Sequence, residues 1–333
     1  MMDGRELARD FLLGRQVGSV ICLDNAPDLV EPLPCAVAIG AFDGFHRGHQ
    51  ELIRLTSAYA ASHGLRAAAV TFDPDPDAVV APHPALSLMS IDDRVRSLAL
   101  AGMDVLVVPF TPAVAAMGHE EFFDRVLAPF LDIRAVHVGS DFRLGARGAS
   151  TVEVIRAWGA GRGIEVFGHD LVLEDGRAIS ATRIRERMSQ GGVEEACREL
   201  GHRPMVRGRV EHGRGEGTDM GFPTANIAVD ASMQLPADGV YAGFACYGSR
   251  VWPAAINVGI PPMFSDSSAS AHLEANLLGY SGDLYGCDVA VSFDTRLRAS
   301  QTFDSVDELI DVVHRDIDHV AAMFGSVELE AKP

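Results

Sequence analysis

Lysine is nearly absent from this chain: Lys332 stands alone, and every other residue among the 28 Lys and Arg is arginine. No lysine is available for a P-loop or a Schiff base, which excludes Walker-type kinases. Any phosphate must be met by arginine, histidine, backbone N–H groups, helix N-termini or a metal ion. Long apolar runs are missing too. The opening MMDGRELARDFLLGRQVGSVICLD is interrupted by charges every few residues, and no later segment reaches membrane-spanning length, so a cytoplasmic location without membrane contact is expected. The five cysteines, Cys22, Cys35, Cys197, Cys246 and Cys287, form no CxxC pair and have no histidine at zinc-finger spacing. Reduced, buried, inert thiols are the expectation.

What is there describes a globular protein. The 333 residues are 47% apolar and 22% charged, a length suited to two domains. The formal charge of −18 argues against a nucleic-acid surface, which works by neutralising phosphates, and in favour of small substrates. From Ala36 to about Ile179, short apolar runs (AVAIG, AAAVTF, DVLVVPF, AVHVGS, IEVFGH) alternate with amphipathic stretches of helical length, the pattern of a parallel α/β sheet. Ser180 to Leu200 has helical spacing broken at Gly191-Gly192. From Arg207 onward come short strand-like pieces with Gly, Pro and Ser punctuation, then a helix over Val306 to Met323. This second half predicts an antiparallel β-barrel with a closing helix. The expected partition is a domain over 1–187, a linker over 188–202 and a barrel domain over 203–327, with a mobile loop at 265–271.

In the first half, CAVAIG runs into GAFDGFHRGHQELIRLT, so Gly40, Gly44, His46, Gly48 and His49 lie between a strand end and a helix start. Open α/β sheets bind ligands there. Glycine lets phosphate approach the backbone, the helix N-terminus offers positive charge, and histidines three apart share one side of the turn. The string GxFDGxHxGH resembles the HxGH signature of nucleotidyltransferases in the form found in prokaryotic FAD synthetases. That resemblance implies an N-terminal Rossmann-like nucleotidyltransferase domain, with His46 and His49 as catalytic residues and Gly40, Phe42, Asp43, Gly44 and Gly48 around the nucleotide. VTFDPDP at 70–76, VGSDFRLGARG at 138–148 and AISATRIRERM at 178–188 follow in the family's order. By resemblance, Ser180, Thr182 and Arg185 meet the triphosphate, and Asp141 and Phe142 meet the flavin. Two positions depart: Asp75 stands where the family usually has histidine, and Ala181 replaces a serine.

In the second half, MGFPTANI closely resembles the PTAN motif of riboflavin kinases. The hydroxyl of Thr224 and the amide oxygen of Asn226 are hard donors suited to Mg2+. By resemblance, Gly221 and Pro223 belong to the nucleotide site, Asn257 and Arg298 to the flavin site, and Glu274 is the base that deprotonates the acceptor hydroxyl. The alternation of Leu273, Glu274 and Ala275 also fits a plain amphipathic strand. Glu216, Thr218 and Asp219 replace positive charge before the motif, leaving Arg214 nearby, and Met263 stands where threonine is usual.

Together these segments resemble the bifunctional riboflavin kinase/FMN adenylyltransferase family. The resemblance implies phosphorylation of riboflavin by ATP with Mg2+, then adenylylation of FMN to FAD with release of pyrophosphate. A monomer or weak homo-oligomer with riboflavin, FMN and ATP as partners is expected. Two alternatives stay open: a kinase whose first domain has lost or changed adenylyl transfer, and a non-catalytic flavin- or nucleotide-binding protein.

Overall fold

The computed structural model describes residues 3–23, 32–212, 221–259 and 273–332. The chain divides into two compact units, one made of Arg15–Ala85 and Ile91–Ser180, the other of Met1–Gly14, Leu86–Ser90 and Ala181–Pro333.

The first unit is built on six parallel strands: β1 (Val20–Cys22), β2 (Pro34–Ile39), β3 (Arg66–Asp73), β4 (Asp104–Pro109), β5 (Asp132–Gly139) and β6 (Glu165–His169). Their order is β1-β4-β3-β2-β5-β6. The strand β2 carries an unbroken apolar run because both of its faces are covered, as in parallel sheets generally. Its alternating side chains enter two cores. Val37 and Ile39 pack with Phe122, Leu127 and Ile155, whereas Ala38 packs with Leu52, Ile53 and Leu98. The chain moves outward from β2 through β3 to β4, then crosses to lay β5 on the other flank of β2. That reversal opens a crevice at the carboxyl ends of β2 and β5. The edge strand β1 is an addition that its three residues gave no periodicity to announce. A hairpin of β7 (Leu173–Glu174) and β8 (Arg177–Ala178) ends this unit.

In the second unit, β9 (Met205–Glu211), β10 (Ala225–Val229), β11 (Gly239–Tyr247), β12 (Arg250–Val258), β13 (Leu273–Leu277) and β14 (Asp288–Ala299) are antiparallel in the order β11-β14-β9-β10-β13-β12. Pairing of β11 with β12 closes the barrel, and β15 (Leu329–Glu330) adds to the outside of β12. Register shifts in β11 beside Tyr241 and Gly243 turn the strand around the barrel. A Cβ at Gly243 would overlap the Ser292 carbonyl, so the close approach there requires glycine. The closing helix Val306–Phe324 begins at Ser305, whose hydroxyl accepts from Glu308 N as an N-cap, while the Glu308 carboxylate accepts from Asp304 N just before it. It packs on Ala242 and Leu278 through Val320. The break at Gly191-Gly192 separates two helices, Ala181–Ser189 and Val193–Leu200, both in the barrel unit.

Among the described residues no helix is long and apolar enough to cross a membrane. Cys35 and Cys246 are buried as expected, but Cys197 and Cys287 are half-buried and Cys22, on the three-residue strand β1 that ends the sheet, is exposed. The expected loop at 265–271 lies outside the described residues.

One titratable pair is built into the first unit. His137 on β5 is 2% exposed and its Nδ1 lies 2.9 Å from Nε2 of His169 on β6. Burial, then the neighbouring His169, pushes the His137 pKa down to about 4 from 6.5. The folded unit therefore binds fewer protons than the unfolded chain between those values. Its stability should be constant above pH 6.5 and fall by about 2 kcal/mol as the pH drops to 4, allowing for partial screening. Denaturant unfolding of the full chain at pH 4.5 and 7 should show this loss, and His137→Gln should reduce it without abolishing it, because the pKa of His49 in the same unit is also pushed down by burial.

Candidate active sites

The turn between β2 and the helix Arg47–His63 concentrates unusual backbone. Phe42, Gly44 and Phe45 have φ of 55°, 70° and 38°, and Phe42 is fully buried. A phenylalanine in the left-handed region is strained and persists only where its surroundings fix it. Here its ring is an edge partner for His49, with centroids 5.2 Å apart. The chain then turns so that His46 caps the helix, its Nδ1 accepting from His49 N at 3.4 Å. The imidazoles of His46 and His49 stack at 3.6 Å. A Cβ on Gly48 would stand 3.0 Å from the His46 ring, so glycine keeps that ring's place. Burial, then His46 and Arg94, hold His49 well below the usual histidine pKa. It is a neutral hydrogen-bonding group at pH 7, and its Nδ1 is buried with no hydrogen-bond partner among the described residues. Asp43 and His46 are buried.

Three motifs follow three adjacent strands at their carboxyl ends: FDPDP after β3, GAFDGFHRGH after β2, and SDFRLG after β5. Asp141 and Phe142 thus emerge beside the histidine turn's own strand, with Phe142 N bonded to the Gly139 carbonyl. Asp75 caps the helix Pro76–Val80, accepting from Asp77 N at 3.1 Å, and lies 3.8 Å from Arg94 Nη2. Arg94 is 3% exposed and donates to the Phe72 carbonyl. The negative charge that replaces histidine in this chain therefore faces a buried guanidinium. Sequence reasoning missed Arg94. The available signal was its place on the buried face of the helix Ile91–Leu100, four residues before Leu98. Ser180 ends the first unit, while Thr182 and Arg185 lie on the helix Ala181–Ser189 of the barrel unit, where Arg185 Nε donates to the Leu86 carbonyl at 2.6 Å.

In the barrel, one rung gathers the predicted residues. Asn226 on β10 pairs with Glu274 on β13, and Glu274 pairs in turn with Asn257 on β12. Directly paired residues point to the same face, about 5 Å apart at Cα. All three are half-buried, and their neighbours Ala225, Ile227, Leu273, Ala275, Ile256 and Val258 are buried on the opposite face. On its other side Asn226 pairs with Glu211 of β9, so carboxylates flank the asparagine from both strands. Glu211 was not singled out from the sequence, although its alternation with Val210 placed it on the outer face. Asn276 Nδ2 donates to the Pro223 carbonyl at 2.8 Å, anchoring the approach to half-buried Thr224. Gly221 has a φ of 90°, and Phe222 packs edge-on against His314 of the closing helix. Asn257 Nδ2 donates to the Gly259 carbonyl. Arg298 is engaged by the closing helix through Asp316 at 2.8 Å. Arg214, Glu216, Thr218, Asp219 and Met263 lie outside the described residues.

Known proteins match both halves. An FAD synthetase family model matches residues 30–183 and a riboflavin kinase model matches residues 200–324. The chain is 30% identical to a bifunctional riboflavin kinase/FMN adenylyltransferase of Pseudomonas fluorescens, over 85% of this chain and 91% of the relative. The protein of the same description from Escherichia coli strain K12 is 32% identical over 85% and 90%. A Streptococcus pneumoniae crystal structure, described as a macrolide-efflux protein, is 30% identical with a TM-score of 0.81, covering 90% of this chain and 98% of that one. With both of its folds and both of its motif sets accounted for, the chain belongs to the bifunctional riboflavin kinase/FMN adenylyltransferase family.

Proposed function

We propose that this chain phosphorylates riboflavin to FMN in the barrel unit and adenylylates FMN to FAD in the α/β unit, using ATP in both steps. The observation that carries the kinase half is the Asn226–Glu274–Asn257 rung, which sets a carboxylate between two amides on one barrel face. Glu274 takes the proton of the ribityl hydroxyl as that oxygen bonds to the γ-phosphorus and the bond to ADP breaks. The hydroxyl of Thr224, the amide oxygen of Asn226 and the flanking carboxylates are the hard oxygen donors Mg2+ prefers, and that donor set fits the ion. When bound, Mg2+ supplies neutralising charge at the phosphates. Gly221 and Pro223 shape the nucleotide side, and Asn257 and Arg298 the flavin side.

In the α/β unit, a phosphate oxygen of FMN attacks the α-phosphorus of ATP and pyrophosphate leaves. No covalent intermediate on the protein is needed, and positioning with charge stabilisation carries the rate. Neutral His49 donates a hydrogen bond to the reacting phosphates beside His46, with the backbone of Gly40, Phe42, Asp43, Gly44 and Gly48 around them. Asp141 and Phe142 serve the flavin, and Ser180, at the end of this unit, serves the triphosphate, whereas Thr182 and Arg185, read with it in the sequence, lie on the barrel unit. Arg94, 3.8 Å from Asp75, partly offsets its charge, which answers one of the two departures behind the silenced-adenylyltransferase reading, while Ala181 still lacks the serine hydroxyl. Neither the monofunctional nor the non-catalytic reading is favoured. A cytoplasmic monomer or weak oligomer acting on small molecules, with no nucleic-acid or membrane partner, completes the proposal.

The assay is chromatography of riboflavin, FMN and FAD after incubation with ATP and Mg2+, starting from either flavin. FAD should form from both, and FMN accumulation without FAD would refute the second activity. Glu274→Gln should cut riboflavin phosphorylation at least ~100-fold and leave FMN adenylylation intact. His49→Asn should do the reverse, by about 100-fold. Asn226→Ala should raise the Mg2+ concentration needed for half-maximal phosphorylation, measured by titration at fixed ATP, with no change in that for FMN adenylylation.

A further inference from the structure

The residues 4–14 precede the α/β unit in sequence, yet they pack with the barrel. The helix Gly4–Asp10 is capped by Asp3 and buries Leu7, Ala8 and Asp10, with Phe11 just beyond it at 1% exposure. Asp10 is 2% exposed, and its Oδ2 accepts from Arg203 Nη1 at 2.6 Å while Oδ1 accepts from Arg203 N at 3.3 Å. The same guanidinium donates through Nε to Asp294 of β14 at 2.6 Å and lies 5.0 Å above the Phe244 ring. Arg207 of β9 donates to the Phe11 carbonyl, and Lys332 N donates to the Gly4 carbonyl. Both the helix and Lys332 fall outside the spans matched by the two family models.

We propose that the helix Gly4–Asp10 is a docked strap of the barrel unit, held by the Asp10–Arg203–Asp294 triad, and that riboflavin phosphorylation depends on it. The partner surface is the barrel's own Arg203 and Arg207, and its ligand is an apolar-faced helix of the same chain that ends in the buried carboxylate of Asp10. Arg203 sits just before β9, whose far end places Glu211 opposite Asn226, and Phe293 N bonds to the Pro204 carbonyl beside it. Loss of the helix leaves the half-buried Arg203 guanidinium short of one of its two carboxylates and frees the start of β9. Through the closed hydrogen-bonded barrel, that loosening reaches the rung carrying Glu274. Asp10 touches no substrate and acts as a positioning residue.

The proposal rests on the kinase reading of the barrel, and two measurements on the full chain separate them. Wild type and Asp10→Asn are heated briefly, then assayed for riboflavin phosphorylation and FMN adenylylation. The half-inactivation temperature for phosphorylation should fall by roughly 5 °C or more in the variant, with that for adenylylation unchanged, and at a temperature where both proteins stay folded kcat for phosphorylation should fall with the KM for riboflavin unmoved. An unmoved phosphorylation temperature, or a fall confined to adenylylation, overturns the proposal. A wild type that fails to phosphorylate riboflavin counts against the kinase reading instead. Docking is then decided by hydrogen exchange, as it also is if Asp10→Asn does not fold. In the wild type, amides of residues 5–13 should open together with those of β9, whereas a helix that exchanges independently of β9 sinks the strap.

Discussion

A guanidinium cannot shed its proton, so burying one obliges the fold to bring a carboxylate or a carbonyl to it. In a chain with a single lysine, this obligation recurs wherever a positive charge leaves water. Arg203 meets Asp10 and Asp294, Arg183 meets Glu199 at 2.8 Å with both side chains nearly inaccessible, and Arg298 meets Asp316. Each pair joins elements that apolar packing alone leaves free to slide: the N-terminal helix to the barrel, the helix Ala181–Ser189 to Val193–Leu200, and the closing helix to β14. In the α/β unit Arg94 does the same for the segment after β3. These contacts are directional, and breaking one partner is far more costly than the net worth of the pair.

The same obligation bears on the adenylyltransferase site. A carboxylate near a triphosphate is repulsive when unmatched, and Asp75 in place of histidine reads as a defect from the string alone. Its position against Arg94 changes the sum of charge rather than the count of acids. His49, kept neutral by burial and then by the neighbouring His46 and Arg94, does not depend on a proton supplied from solution.

Much of the architecture was legible because periodicity reports which face of an element is buried. The short continuous apolar runs AAAVTF and DVLVVPF, set between amphipathic stretches, marked β3 and β4, and the spacing of Gly, Pro and Ser after Arg207 marked the barrel. Periodicity does not report what a face is buried against. The helix Gly4–Asp10 looks like the start of whatever follows it, and its partner Arg203 is 193 positions away. Likewise Thr182 and Arg185 stand next to Ser180 in sequence, although the chain passes from one compact unit to the other between Ser180 and Ala181. Motif strings fared better, since PTAN and HxGH encode a local turn and its side chains together. Arg94 and Glu211 escaped because each acts through a neighbour on another element, the first through Phe72 and Asp75, the second through its register with Asn226.

Synthesis runs from one end of a chain to the other, and a unit assembled from both ends must wait. At ribosomal rates of about 5–20 residues per second, Asp10 is made roughly 10–40 s before Arg203 exists to receive it. Throughout that interval the seven-residue segment is too short to hold a helix by itself, and its apolar side chains have no barrel to cover them while the intervening residues are made. Leu7 and Phe11 are thus a hazard for the nascent chain and a core for the finished one, which makes this short segment a natural client for whatever shields apolar stretches at the ribosome.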